Sequence, residues 1–244
     1  MKLFALLSGP LLILAILTKV ALSKERSYEL KHYRPMYFLA GDQNSKIQLS
    51  FKYKLLKRAD FYFGYTQRMF WDFYTKPSSP MKDINYQPEF FYSFEQENSQ
   101  HARQRLGVGH KSNGEGGTNS RMYNRMFVEA LWDNFLFEDD EVLFGFQHFF
   151  DEDYYNPDIS RYVGPFYADF TFKLGYGFFR HFFYRFQPGS NIDYSTHVYG
   201  MNFKIFDNES SLKLFVQYFD GYGETLIDYS RREQILRGGF IIGY

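Results

Sequence analysis

What most constrains this chain is an alternation of apolar and polar residues with a period of two, repeated along most of its length. In KIQLSFKYKLL, Ile47, Leu49, Phe51, Tyr53 and Leu55 take one parity, and Lys46, Gln48, Ser50, Lys52 and Lys54 take the other. Successive side chains of a strand point to opposite faces, so the segment reads as a strand with one apolar and one wet face. Phe90, Tyr92 and Phe94 alternate in the same way with Glu89, Ser93 and Glu95, as do Tyr199, Met201, Phe203 and Ile205 with Gly200, Asn202 and Lys204. Leu212, Leu214, Val216 and Tyr218 alternate with Lys213 and Gln217, while Phe91 and Phe215 break the polar parity.

Turn signals such as Lys57-Arg58, Gly189-Ser190-Asn191 and Asp207-Asn208-Glu209 separate these runs. Strands are expected at 33–41, 45–55, 59–72, 85–97, 103–113, 120–132, 141–150, 163–176, 178–187, 195–206, 211–222 and 231–244. An even number of long strands suits an all-β fold, a 12-stranded antiparallel transmembrane β-barrel. Aromatic residues form 22% of the chain, with 30 Phe and 22 Tyr, too many for one soluble core to bury beside 28 basic and 28 acidic residues. A soluble sandwich is the competing fold. It has shorter strands and no reason to end on Leu236, Phe240, Ile242 and a terminal Tyr244.

At the N-terminus, Lys2 precedes an apolar run that ends in VALS. Residues 1–23 are expected to be a signal peptide cleaved after Ser23, leaving one barrel domain over 24–244. The competing reading is an uncleaved anchor helix, disfavoured because Gly9-Pro10 interrupts the run and Lys19 shortens it. Beyond residue 23 no apolar stretch of spanning length remains, so a membrane-embedded chain must cross as strands. There is no cysteine, which removes a disulfide framework, a thiolate metal site and a Cys nucleophile. A net charge of zero and the lack of any basic helix give no sign of a nucleic-acid partner.

Parity also exposes polar residues on the wrong face, where they cost stability unless something satisfies them. In the fifth strand Leu106 and Val108 set the apolar parity, and His110 and Ser112 continue it. In the sixth, Met126, Val128 and Ala130 set it, and Asn124, Met122 and Ser120 continue it. A hairpin centred on Gly117 would place 110 opposite 124, with β-carbons about 5 Å apart. His110, Ser112 and Asn124 would then form one outward patch with the parts of a nucleophile, a base and an orienting group. On parity alone the three serve equally well as interfacial polar groups where a strand leaves the bilayer.

The segment GVGHKSNGEGGTNSRMYNR resembles the active-site hairpin of the outer-membrane phospholipase A family, through His110, Ser112-Asn113-Gly114, Ser120-Arg121 and Asn124-Arg125. YTQRMFW at 65–71, SSP at 78–80, NYQPEF at 85–90, NPDISRYVG at 156–164 and GYGETLIDY at 221–229 are similar to further family signatures in the same order. The resemblance implies a twelve-stranded barrel in the bacterial outer membrane that hydrolyses acyl esters of phospholipids, with lysophospholipase activity also expected. Ser112 would be the nucleophile, His110 the base and Asn124 the orienter. Calcium at a subunit interface would support the oxyanion, held by the Ser120 hydroxyl, the Glu115 carbonyl and Ser78 of a partner. The usual loop residue at the carbonyl position is Arg, so Glu115 is a departure, and its carboxylate is expected to strengthen calcium binding. Gln67, on the parity of Phe61, Phe63 and Tyr65, would bond across a weak, reversible homodimer that switches activity on.

Two other classes compete with this reading. A porin-like or structural barrel would treat the outward patch as incidental, its lumen carrying Lys52, Glu89, Glu95, Arg125, Glu129, Lys204 and Lys213. A soluble secreted esterase is disfavoured because the chain has no G-x-S-x-G elbow. His101, His148, His181 and His197 sit singly and read as interface or lumen residues, and Tyr222, Glu224 and Asp228 as loop structure.

Overall fold

The computed structural model describes residues 29–72, 80–95, 102–152, 154–175, 177–205 and 211–242. Its strands are β1 Leu30–His32, β2 Met36–Gly41, β3 Ser45–Leu56, β4 Ala59–Trp71, β5 Met81–Glu95, β6 Ala102–Ser112, β7 Met122–Asp133, β8 Glu141–Glu152, β9 Phe166–Lys173, β10 Phe179–Gln187, β11 Thr196–Lys204, β12 Leu212–Gly221 and β13 Glu233–Ile242. From β2 onwards each strand pairs antiparallel with the next, and β13 pairs with β2 to close the sheet. β1 and β2 both lie along β3, opposite residues 51–53 and 46–48 respectively, so they occupy one strand position and the barrel has twelve.

The single strand expected over 33–41 is therefore interrupted. Pro35 has no N–H to give to a ladder. The chain steps into the lumen there: Tyr33 stacks on Phe91 at 5.2 Å, and Arg34 reaches Glu89 at 3.0 Å. Most other boundaries differ by one to four residues. The strand expected from 163 begins at Phe166, after a short helix α1 (Ile159–Val163); that expected from 120 begins at Met122; that expected from 85 begins at Met81. The expected signal peptide over 1–23 and Tyr244 lie outside the described residues.

Strand parity divides the side chains between lipid and lumen. Leu49, Phe51, Tyr53, Leu106, Val108, Met126, Val128 and Phe240 are exposed on the outside, whereas Lys46, Gln48, Glu89, Arg125 and Glu129 are buried inside. Among the described residues no helix is long and apolar enough to cross a membrane. The span is made by strands whose apolar faces form an outer belt and whose backbone groups pair around the closed sheet.

Phe91 and Phe215 also point inward, which explains why they broke the pattern. Phe91 packs between Tyr33 and Tyr62, and Phe215 against Leu39 and Ile241, so the lumen is partly filled by rings. Ion pairs cross much of the rest, leaving a cavity of about 360 Å³ between them. Glu129 meets Arg105 at 3.0 Å and Tyr167 at 2.7 Å, Glu224 meets Lys46 at 3.1 Å and Arg237 at 2.6 Å, and Glu89 holds Arg34 and Arg125 together.

The longer connections 113–121, 153–165, 188–195 and 222–232 all emerge at one end. Two of them fold over the lumen. Ile159 of α1 packs on Leu226, Tyr229 and Tyr123, and Tyr229 donates to Asp158 at 2.5 Å. Asp83 on β5 accepts from Leu226 N and Ile227 N at 2.8 and 3.2 Å, anchoring the 222–232 loop to the strand next to β6. This cap sits beneath the hairpin that carries the candidate residues.

Candidate active site

β6 and β7 pair in the register expected for a turn centred on Gly117: His110 lies opposite Asn124, and Ser112 opposite Met122. Their outward neighbours are plainly lipid-facing, Val108 being 44% exposed and Met126 49%. Between them the inward residues Gly109, Lys111, Tyr123 and Arg125 are buried. The parity argument thus holds at the positions that matter most.

His110 Nδ1 and Asn124 Oδ1 are 2.8 Å apart. An amide oxygen can only accept, so Nδ1 donates, and in the neutral ring Nε2 then carries the lone pair that a general base requires. The β7–β8 register shifts between Asn124 and Arg125. The extra residue is Phe150 on β8, so the irregularity in the ladder falls beside Asn124. Ser112 comes two residues after His110 on the same face.

The hairpin loop is built around Asn113. Its buried side chain donates to Asn119 O at 2.8 Å and accepts from Glu115 N at 3.3 Å and Arg121 N at 3.0 Å. These bonds hold residues 120 and 121 in the loop, which is why β7 starts two residues later than the pattern suggested. Gly114 has φ +71, and a Cβ there would come within 2.9 Å of the Tyr86 ring. Only glycine fits both requirements. Asn156 clamps the start of β7 from the other side: wholly buried, it donates to Met122 O and accepts from Met122 N, both at 2.9 Å.

Ser120 and Glu115 lie on this loop, Glu115 exposed and Ser120 half-buried. Ser78 lies outside the described residues. Gln67 faces outward on β4, where Tyr65 donates to its Oε1 at 3.0 Å. Gln67 is in register with Tyr86, and Tyr86 with Ser112, so the three form one lateral row over β4, β5 and β6.

Sequence reasoning missed Asn113, Asn156 and Tyr86. Asn113-Gly114 is a turn signal, and Asn156 stands in one of the family-like segments, but a side chain bonded to distant backbone leaves no periodic trace. Glu224 and Asp228, read only as loop residues, are ionic anchors: Glu224 to Lys46 and Arg237, and Asp228 to Lys82 at 2.9 Å.

Taken together, the fold and site define a class: an outer-membrane β-barrel with a bonded His110–Asn124 pair on its outward face and Ser112 two residues along the same strand. The family model described as phospholipase A1 matches residues 16–242, and the chain belongs to that family. A putative phospholipase A1 of Neisseria meningitidis serogroup B is 31% identical over 203 residues, covering 78% of this chain and 52% of that protein. The phospholipase A1 of Escherichia coli K12 is 27% identical over 172 residues, covering 68% of this chain and 56% of that protein. The chain spans about half the length of these curated relatives. In fold it is similar to Escherichia coli outer membrane phospholipase A, with a TM-score of 0.73 at 22% identity over 88% of this chain and 98% of that one. It is equally similar to the Salmonella typhi outer membrane phospholipase dimer with bound calcium, with a TM-score of 0.73 at 22% identity over 93% and 96%.

Proposed function

We propose that this chain is a calcium-dependent outer-membrane phospholipase A that cleaves acyl esters of phospholipids from the lipid side of its own barrel wall and is activated by pairing with a second copy. The observation that carries the reading is the bond from His110 Nδ1 to Asn124 Oδ1 on a face otherwise given to hydrocarbon. On parity alone such a pair serves equally well as an interfacial polar group, and family membership supplies the chemical reason for it.

In the reaction, Ser112 Oγ attacks the acyl carbonyl and gives its proton to His110 Nε2. Asn124 keeps the imidazole oriented, as a neutral group that stabilises the imidazolium less than a carboxylate but costs less beside lipid. His110 then protonates the departing lysolipid oxygen. Water, deprotonated by His110, attacks the acyl-serine ester and releases the fatty acid.

The residues proposed for calcium fit its chemistry. The Ser120 hydroxyl, the Glu115 carbonyl and the Glu115 carboxylate are hard oxygen donors on one loop. Among the described residues no group of three or more His, Asp or Glu gathers, and calcium usually takes six to eight oxygens. Water and Ser78 from a second copy would supply others. When bound, the ion adds positive charge toward the oxyanion of the acyl-transfer step.

The lateral row from Gln67 through Tyr86 to Ser112 supports activation by pairing. At the ordinary strand spacing Gln67 lies roughly 10 Å from Ser112, so a copy docked on β4 would wall the site. The ion-paired lumen favours an enzyme over a porin-like barrel. The test is fatty-acid release from phospholipid mixed micelles with calcium or with chelator. Wild type should be active only with calcium, and Ser112→Ala should be inactive while keeping a folded, heat-modifiable barrel. Conductance in planar bilayers with no esterase activity would support the porin-like reading instead.

A further inference from the structure

Directly behind the candidate site, on the lumen side of β6, lies a cavity of about 70 Å³ whose lining includes Arg34, Arg68, Lys111, Arg125 and Arg185 and not one carboxylate. Two acids that pair with its lining are already committed. Glu89 is shared by Arg34 and Arg125, and Asp169 is held by Arg185 through two bonds of 2.5 Å. Among the described residues, Arg68 and Lys111 form no ion pair. Arg68 Nε donates to the neutral Gln48 Oε1 at 2.7 Å, and the Lys111 ammonium stands 6.0 Å from the Tyr123 ring. Lys111 is only 6% exposed, and Arg34 Nε is buried without a hydrogen-bond partner.

Five basic side chains therefore face one small space; Arg34, Arg68 and Arg185 also border the larger lumen cavity of about 360 Å³, where Glu129, Asp169 and Glu224 lie, whereas Lys111 and Arg125 face only the smaller one. Buried charge of one sign is costly unless a counter-charge is brought in. Arginine and lysine donors converging on a cavity of this size suit a compact anion rather than an extended ligand. The barrel wall separates the cavity from the bilayer, so a lipid headgroup cannot reach it from the outer surface. We propose that this cavity binds a small inorganic anion, of chloride to phosphate size, between Arg68 and Lys111. The anion would hold Lys111 down into the lumen and so brace the strand whose next residues on either side, His110 and Ser112, face lipid. The proposal does not depend on the enzymatic reading.

The test uses the full-length barrel in a non-ionic detergent with chelator, at constant sodium concentration. Thermal unfolding is followed while gluconate, too large for the cavity, is replaced by chloride or by phosphate. Wild type should show a saturable rise in midpoint of about 3 °C or more with at least one of the two small anions. Lys111→Met should abolish that response and, in gluconate, be more stable than wild type because an uncompensated buried cation is gone. Arg68→Gln provides the second variant should Lys111→Met not fold, and Lys57→Met in the exposed turn should behave as wild type. Equal midpoints in all three anions, or a Lys111→Met or Arg68→Gln barrel that keeps the wild-type response, would overturn the proposal.

Discussion

Asn124 shows how one side chain settles both a protonation state and a cost. A carboxylate opposite His110 would stabilise the imidazolium better, yet it would place a formal charge beside the hydrocarbon, where the neutral amide is cheaper. Asn124→Ala should therefore lower kcat by on the order of 10² with a small change in KM, since it removes orientation of the base rather than a substrate contact. Steady-state kinetics on mixed micelles checks this, and an unchanged kcat would remove Asn124 from the mechanism. At the loop, Glu115→Gln should weaken calcium activation by several-fold if the carboxylate contributes to the shell, as read from a calcium titration of activity. The outward placement of His110, Ser112 and Asn124 was legible in the sequence because a polar residue on an apolar parity contradicts the pattern, while their proposed roles came from the family resemblance. Ser120 was legible only as a motif residue: parity placed it in a strand, whereas the Asn113 side chain holds it in the loop.

At the scale of elements, the hairpin depends on clamps that come from elsewhere in the chain. Asn156 satisfies both backbone groups of Met122 from within a buried site, so Asn156→Ala should cost about 2 kcal/mol by leaving those groups unpaired. Heat-modifiable unfolding measures the loss, and activity should fall with it because Met122 lies opposite Ser112. The 222–232 loop is held by Glu224. Burial alone would raise its carboxyl pKa, but the Lys46 ammonium and the Arg237 guanidinium outweigh burial and hold it at about 2, below its ordinary 4.5. The stability this contributes is whole above about pH 4.5 and is lost as pH falls towards 2. Unfolding midpoints measured from pH 6 down to pH 3 should fall in wild type and be flatter in Glu224→Gln. Strand positions were readable to within a few residues because a barrel wall enforces period two. The inward step at Tyr33–Pro35 and the cap from 156–164 and 221–229 were not, because long-range plugs follow no period.

Across the whole molecule, a closed sheet turns its fold inside out relative to a soluble enzyme: polar pairs line the interior, rings and aliphatic side chains clothe the exterior, and the proposed chemistry sits outside. The row Gln67, Tyr86 and Ser112 joins the proposed pairing face to the site without passing through the lumen. Gln67→Leu should accordingly weaken pairing, measurable as a several-fold higher enzyme concentration for half-maximal activity, with little change in barrel stability. The account stands or falls on Ser112 being made nucleophilic by His110 from the lipid side. That is measured by treating the barrel in mixed micelles with a sulfonyl fluoride bearing a long alkyl tail and mapping the adduct by peptide mass. One adduct on Ser112, formed in wild type and absent from a folded His110→Ala barrel, is the predicted result; labelling at another residue, or at Ser112 with the same rate in His110→Ala, would contradict it.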